Sequence, residues 1–252
     1  AYVDSVLAVL PFEPQVMRDL GGPPTHFVGH RLATHESLLR TRALRAQRPA
    51  AGLDDPKTIL LLPGSRGAEI NALLPVFGAV MQEFVARNGP TRFLLPTVSR
   101  QEARVRAMIA GWEFTPDVLM GEDAKWQAFA EADAAIAASG TVILELALAS
   151  VPVVSTYKAD FLMRMVSHRI KTWTGALPNL IADYPVVPEY LNDHVRPGNL
   201  MRMAERLAAD TLQRRAMLEG FDLVWQKLQT ELPSGDEGSR IVLELLARRG
   251  RL

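Results

Sequence analysis

The sequence contains no cysteine. Disulfides, thiol nucleophiles and thiolate-held metals are therefore excluded, and cysteine usage says nothing about redox compartment. Neither sign of charge is in excess, since 28 Lys and Arg balance 28 Asp and Glu. A global electrostatic pull towards nucleic acid is absent, and nucleic acid is not an expected partner. No uncharged apolar run reaches the ~18 residues of a membrane-spanning helix. Residues 1–10 lack a basic lead-in and a cleavage-type ending, so they do not read as a signal peptide. Three catalytic motifs are missing as well. His35-Glu36 has no second His at the spacing of a zinc-protease helix, no Asp-x-Asp pair stands ready for Mg²⁺, and no G-x-S-x-G elbow occurs.

What is present is an ordinary globular composition: 252 residues, 48% hydrophobic and 22% charged, enough for one large domain or two small ones. Strand-like apolar runs alternate with helical periodicity. Strands are expected at 5–10, 25–28, 58–62, 92–95, 118–120, 134–137 and 151–155. Helices are expected at 14–20, 68–87, 100–110, 124–130 and 142–149, and from 199 onward with a break at 233–235. Such alternation predicts right-handed βαβ units and a parallel sheet covered by helices on both faces. The fold class is thus α/β, with a complete doubly wound unit from about Lys57 to Asp193. The two strands before it cannot make a sheet alone.

In a doubly wound fold, ligands bind beyond the carboxyl ends of the strands. Two turns there carry chemistry. Pro63-Gly64-Ser65-Arg66-Gly67 joins the 58–62 strand to a helix. Gly64 permits close backbone approach, the helix N-terminus favours an anion, and Arg66 can clamp phosphate oxygens in two places. It has neither the dinucleotide nor the Walker spacing. Ala138-Ser139-Gly140-Thr141 does the same after the 134–137 strand. Ser139 is placed to cap the helix, Gly140 admits an anion, and Thr141 supplies a hydroxyl. Glu145, one turn beyond Thr141, is placed to accept the hydroxyls of a ribose. An ordinary βα turn with a surface Arg and a capped helix with an exposed Glu are the plain alternatives.

Other features read more plainly. Asn179, in the loop Leu177-Pro178-Asn179-Leu180, is a turn residue or a ligand to sugar or phosphate. His30 is structural or solvated, with an acid–base role as the alternative. The Arg-rich run at 33–49 reads as a solvated linker or surface helix rather than a phosphate patch. The stretch Lys158 to Trp173 is basic and amphipathic, which suits either a core helix or a membrane interface.

Taken together, the segments resemble the lipid-A-disaccharide synthase family. They are Val6-Leu7-Ala8-Val9-Leu10-Pro11-Phe12-Glu13, Phe27-Val28-Gly29-His30, Leu61-Leu62-Pro63-Gly64-Ser65-Arg66 with Glu69, Ala132-Asp133 through Thr141 with Leu144-Glu145, Pro152-Val153-Val154 with Tyr157-Lys158, and Leu177-Pro178-Asn179-Leu180-Ile181-Ala182. They stand in family order along nearly the whole chain. Arg31 departs from the family, which usually has Pro after the Gly-His pair.

The resemblance implies a GT-B glycosyltransferase built of two Rossmann-like halves. Residues 1–50 would be the remnant of the N-terminal acceptor half, 51–197 the UDP-sugar half, and 198–252 C-terminal helices. The implied reaction transfers diacylglucosamine from UDP-2,3-diacylglucosamine to 2,3-diacylglucosamine 1-phosphate, with inversion, giving lipid A disaccharide 1-phosphate and UDP. It needs no metal and no cofactor. It runs at the cytoplasmic face of the inner membrane, which raises the interfacial reading of Lys158 to Trp173, and a homodimer is compatible with it. The implied donor site comprises Gly64, Ser65, Arg66, Met120, Ser139, Gly140, Thr141, Glu145 and Asn179, with Arg66 as the catalytic group and the Met120 backbone offered to uracil. The general base is expected in the N-terminal part that this chain lacks. Two alternatives stay open: a catalytically silent UDP-binding fragment, and another UDP-sugar enzyme such as a UDP-GlcNAc epimerase.

Overall fold

Two parallel sheets of unequal size organise the computed structural model, which describes residues 3–159 and 172–248. The small sheet pairs β1 (Val6–Ala8) with β2 (Thr25–Phe27), joined by α1 (Glu13–Asp19). The strands expected to be unable to form a sheet alone therefore pair with each other. Such a pair is marginal by itself. It has support: a Cβ added at Gly238, in the helix nearest the C-terminus, would stand 3.5 Å from the Leu7 side chain.

The large sheet has six strands in the order β5-β4-β3-β6-β7-β8. These are β3 (Lys57–Leu62), β4 (Thr91–Thr97), β5 (Asp117–Met120), β6 (Ala134–Ala138), β7 (Val153–Tyr157) and β8 (Glu189–Leu191). Every pairing is parallel. Helices α3 (Gly67–Asn88), α4 (Ser99–Ile109), α5 (Glu122–Glu131) and α6 (Thr141–Leu148) follow β3, β4, β5 and β6 in turn. The chain winds outward from β3 in one direction and from β6 in the other. The topological switch therefore falls between these two neighbours, where such sheets open a crevice.

Burial explains the order. β6 (Ala-Ala-Ile-Ala-Ala) is buried along its whole length, as a strand covered on both faces must be. Its small side chains let α8 (Pro197–Ala208) pack directly on it. In α3, Ile70, Leu73, Leu74, Phe77, Val80, Met81 and Phe84 recur at helical spacing and are all buried. This 22-residue helix is long and apolar enough, by length and composition, to pass the test for a membrane span. Its buried stripe instead belongs to the central core. Among the described residues the remaining α-helices are α2 (Glu36–Ala46), α7 (Leu177–Ala182), α9 (Leu212–Leu228) and α10 (Ser234–Arg248).

The Arg-rich run is a surface helix rather than a linker, with Arg40 exposed. It forms α2, and two of its arginines dock that helix on the large sheet's layer. Arg45 donates from Nη1 to the carbonyls of Phe129 (2.9 Å) and Ala132 (2.6 Å), and from Nε to that of Ser150 (2.9 Å). Arg42 donates to the Leu148 carbonyl at 2.9 Å. These carbonyls end α5 and α6, where helices leave acceptors unpaired. Burial, then the neighbouring Arg214 and Arg48, pushes the Arg45 pKa down to about 9, which leaves it charged at neutral pH. Composition alone could not reveal this, because a guanidinium on a helix reads the same whether it meets water or a carbonyl.

Two further elements escaped the pattern. Asn179 lies within α7 rather than in a loop, since Pro178 occupies the first turn, where its missing N–H costs nothing. The three residues of β8 are too few for a period to register.

Candidate functional site

Four turns meet above the carboxyl ends of β3, β4, β5 and β6 and enclose one cleft of about 650 Å³. From the β3–α3 turn it takes Gly64, Ser65 and Arg66, and from the β6–α6 turn Ser139, Gly140, Thr141 and Glu145. The structure thus brings seven of the nine expected site residues to one cavity. Glu69, Thr97, Ser99, Gly121, Glu122 and Lys125 also face it.

The two glycine turns differ in how their helix N-termini are satisfied. At α3 the site is already filled. Glu69 Oε2 accepts the backbone N–H groups of Ser65 (3.1 Å) and Arg66 (3.3 Å), and Oε1 pairs with the Arg66 guanidinium at 2.7 Å. This is the N3 half of a capping box, the glutamate reaching back to the N-cap N–H, with its carboxylate turned into the anion position. Gly64 is required there. Its φ is +109°, and a Cβ would lie 2.3 Å from Glu69 Oε2. The Arg66 side chain is 79% exposed and lines the cleft while paired with Glu69.

At α6 the N-terminus is open. Gly140, not Ser139, occupies the N-cap position, with φ 155° and no side-chain cap bond. The expected capping role of Ser139 is therefore corrected. With Gly140 as N-cap, Ser139 is the last residue before the turn, and its own N–H is bound to the Thr156 carbonyl at 2.7 Å. The positive end of α6 faces the cleft without a capping side chain, as an anion requires.

The third wall is α5. Lys125 Nζ stands 3.0 Å from Glu122 Oε1 and 3.3 Å from Glu145 Oε2, and 4.5 Å from the centroid of the Trp126 ring. The hydrogen bond from Lys125, aided by the Trp126 indole, holds the Glu122 carboxyl below the usual carboxylate range. Sequence reasoning missed Glu69 as a site group and passed over Lys125 altogether. The signals were there: Glu69 is three residues after the N-cap, and Lys125 is three after Glu122 at the head of a helix.

Two expected residues stand apart. Met120 ends β5 and does not line the cleft, although Gly121 after it does. Asn179 is 1% exposed, and its amide is committed elsewhere. Its Oδ1 accepts the N–H groups of Val186 (2.9 Å) and Val187 (2.7 Å), and its Nδ2 donates to Thr174 Oγ1 (3.1 Å) and the Val187 carbonyl (3.0 Å). Asn179 is a structural pin for the chain entering β8, and the ligand role expected for it is corrected. His30 Nδ1 accepts the Leu32 N–H at 3.2 Å and caps a 3₁₀ turn. Of the basic amphipathic stretch Lys158 to Trp173, residues 160–171 lie outside the described residues.

A family profile described as lipid-A-disaccharide synthetase matches residues 1–236. A lipid-A-disaccharide synthase of Nitrobacter winogradskyi is 42% identical over 223 residues, covering 88% of this chain and 56% of that protein. One from Rhodopseudomonas palustris (strain HaA2) is 39% identical over 251 residues, 98% of this chain and 63% of that protein. The chain thus spans about three fifths of the length of these curated relatives. Among solved structures, an S. aureus MnaA–UDP co-structure superposes with a TM-score of 0.58 at 13% identity, over 99% of this chain and 61% of that one. MurG of Acinetobacter baumannii gives 0.54 at 16% identity, over 94% and 59%. At such identities the likeness carries the fold alone, an α/β architecture of GT-B type.

Proposed function

This chain belongs to the lipid-A-disaccharide synthetase family, and from that premise we propose that it forms the donor-binding part of a glycosyltransferase. The reaction moves diacylglucosamine from UDP-2,3-diacylglucosamine to 2,3-diacylglucosamine 1-phosphate. One observation carries the reading: the β3–α3 and β6–α6 turns, on either side of the topological switch, open on a single cleft.

In this reading residues 51–197 hold the donor, 1–50 belong to the acceptor half, and 198–252 are accessory helices. The acceptor hydroxyl oxygen attacks C1 of the donor sugar as the bond from C1 to the diphosphate oxygen breaks. The hydroxyl proton passes to a base, UDP leaves with the bonding pair, and the configuration at C1 inverts. Arg66, the N–H groups of the Ser65 turn and those of Gly140 and Thr141 receive the developing diphosphate charge. Loss of one such preorganised donor costs about 2.7–4 kcal/mol, or roughly 10²–10³ in rate. Glu145 accepts the ribose hydroxyls, and the backbone of Gly121, directly after Met120, meets uracil. We assign no general base within this chain. Both substrates are lipids, so the enzyme works at the cytoplasmic face of the inner membrane, approached through Lys158 to Trp173. The indole-bearing Trp173, 55% exposed, supports that contact.

The test is a calorimetric and thermal-shift titration with UDP, followed by an assay for disaccharide formation from the two lipid substrates. UDP raises the melting temperature of the wild-type chain, and Arg66→Ala abolishes that shift. Unchanged UDP affinity in the variant removes Arg66 from the site. UDP binding without turnover identifies the chain as a UDP-binding module with no activity of its own.

A further inference from the structure

Lys125 is electrostatically out of place in its helix. It follows Glu122 and Asp123 at the head of α5, where the positive end of the dipole favours anions and disfavours an ammonium. Its environment explains it instead. Nζ lies between two carboxylates of different helices, Glu122 of its own first turn at 3.0 Å and Glu145 of α6 at 3.3 Å. Its alkyl stem is largely covered, leaving the side chain 21% exposed, and the Trp126 and Phe129 rings lie 4.5 and 5.9 Å from the charge. The ammonium therefore ties α5 to α6 across one wall of the cleft. Only Oε2 of Glu145 is engaged. Among the described residues no hydrogen bond reaches Oε1, and Oε2 keeps a second lone pair.

We propose that Lys125 is a positioning residue that fixes the Glu145 carboxylate in the rotamer that reads the ribose hydroxyls of a nucleoside diphosphate. The inference rests on the donor-site reading above and deepens it. An unpaired glutamate at that position samples several rotamers and must be ordered when the nucleotide arrives. A carboxylate already anchored through one oxygen presents the other at a fixed place, and the vicinal hydroxyls then distinguish a ribose from a sugar that lacks them. Lys125 acts through Glu145 and need not touch the ligand.

The experiment compares UDP with 2′,3′-dideoxyuridine diphosphate by calorimetry on the full chain, in wild type, Glu145→Leu, Lys125→Met and Lys125→Arg. Wild type prefers UDP by about tenfold, the worth of a hydrogen bond to a charged group. Lys125→Met binds the two nucleotides within about threefold of each other, because UDP alone weakens, and Lys125→Arg restores most of the preference. A purely structural lysine, or one that contacts the diphosphate, would weaken both nucleotides alike and leave the ratio intact. That result, or full discrimination retained in Lys125→Met, overturns the proposal. If Lys125→Met does not fold, the same ratio is read in Lys125→Gln. Glu145→Leu, which has no acceptor, separates the two levels. Discrimination that survives in Glu145→Leu overturns the ribose reading itself. Discrimination lost there but kept in the Lys125 variants overturns only the positioning role.

Discussion

The Glu69 carboxylate holds Arg66 twice, accepting its backbone N–H at 3.3 Å and pairing with its guanidinium at 2.7 Å. The same carboxylate takes the Ser65 N–H, so three donors proposed for the donor diphosphate already face an anion supplied by the protein. A diphosphate arriving at this turn has to displace Glu69 or share the donors with it.

Glu69→Gln is therefore expected to bind UDP more tightly. The amide keeps the shape and one acceptor oxygen but removes a negative charge beside the phosphate position. For an exposed ion pair the gain is about 1 kcal/mol, roughly fivefold in Kd. Calorimetry reads this directly. Weaker binding would mean that the carboxylate is needed to hold the turn in a binding shape.

Asn179→Ala is expected to damage the fold and spare the ligand. It leaves the buried N–H groups of Val186 and Val187 and the Val187 carbonyl without their partner. Each such group costs about 1–3 kcal/mol when unpaired. In a chain of this size each kcal/mol lowers Tm by about 2–4 °C. The measurement pairs a melting curve with a UDP titration below the transition. A large loss of UDP affinity in protein that melts normally would return Asn179 to the site.

A pH dependence is expected from His30. Burial, and then the adjacent Arg31, lowers its pKa from the ordinary 6.5, and the neutral ring accepts the Leu32 N–H. In the window between the folded value and 6.5 the unfolded chain binds more protons, so stability rises with pH there. The contribution is complete above the unfolded value and is lost as pH falls through the folded one. His30→Asn keeps a capping oxygen and removes the titration. Chemical denaturation at pH 7.5 and 5.5 should show a smaller acid loss in the variant, and equal losses would exclude His30 as the source.

Much of the architecture was legible because it rests on short-range rules. Apolar runs bounded by Pro and Gly placed β3, β4, β6 and β7, and the 3.6-residue period placed α3 within one residue at each end. The turn at Gly64-Ser65-Arg66 and that at Ser139-Gly140-Thr141 stood out because glycine next to a helix start has few other uses. The miscast residues share a cause. Asn179, Arg42 and Arg45 carry polar groups that suit a ligand or solvent equally well in one dimension. Only the packed chain supplies the carbonyls and amides that take them up.

By itself the sequence determined the alternation of strands and helices, hence a parallel sheet, and which two glycine turns stand where a strand feeds a helix. Those properties follow from backbone sterics and from side-chain periods along the chain. The tertiary structure alone decided that the two turns share a cleft, that Glu69 fills one anion position while the other stands open, and that Lys125 reaches Glu145. These depend on strand order and on distances between residues far apart in the chain, which no local pattern encodes.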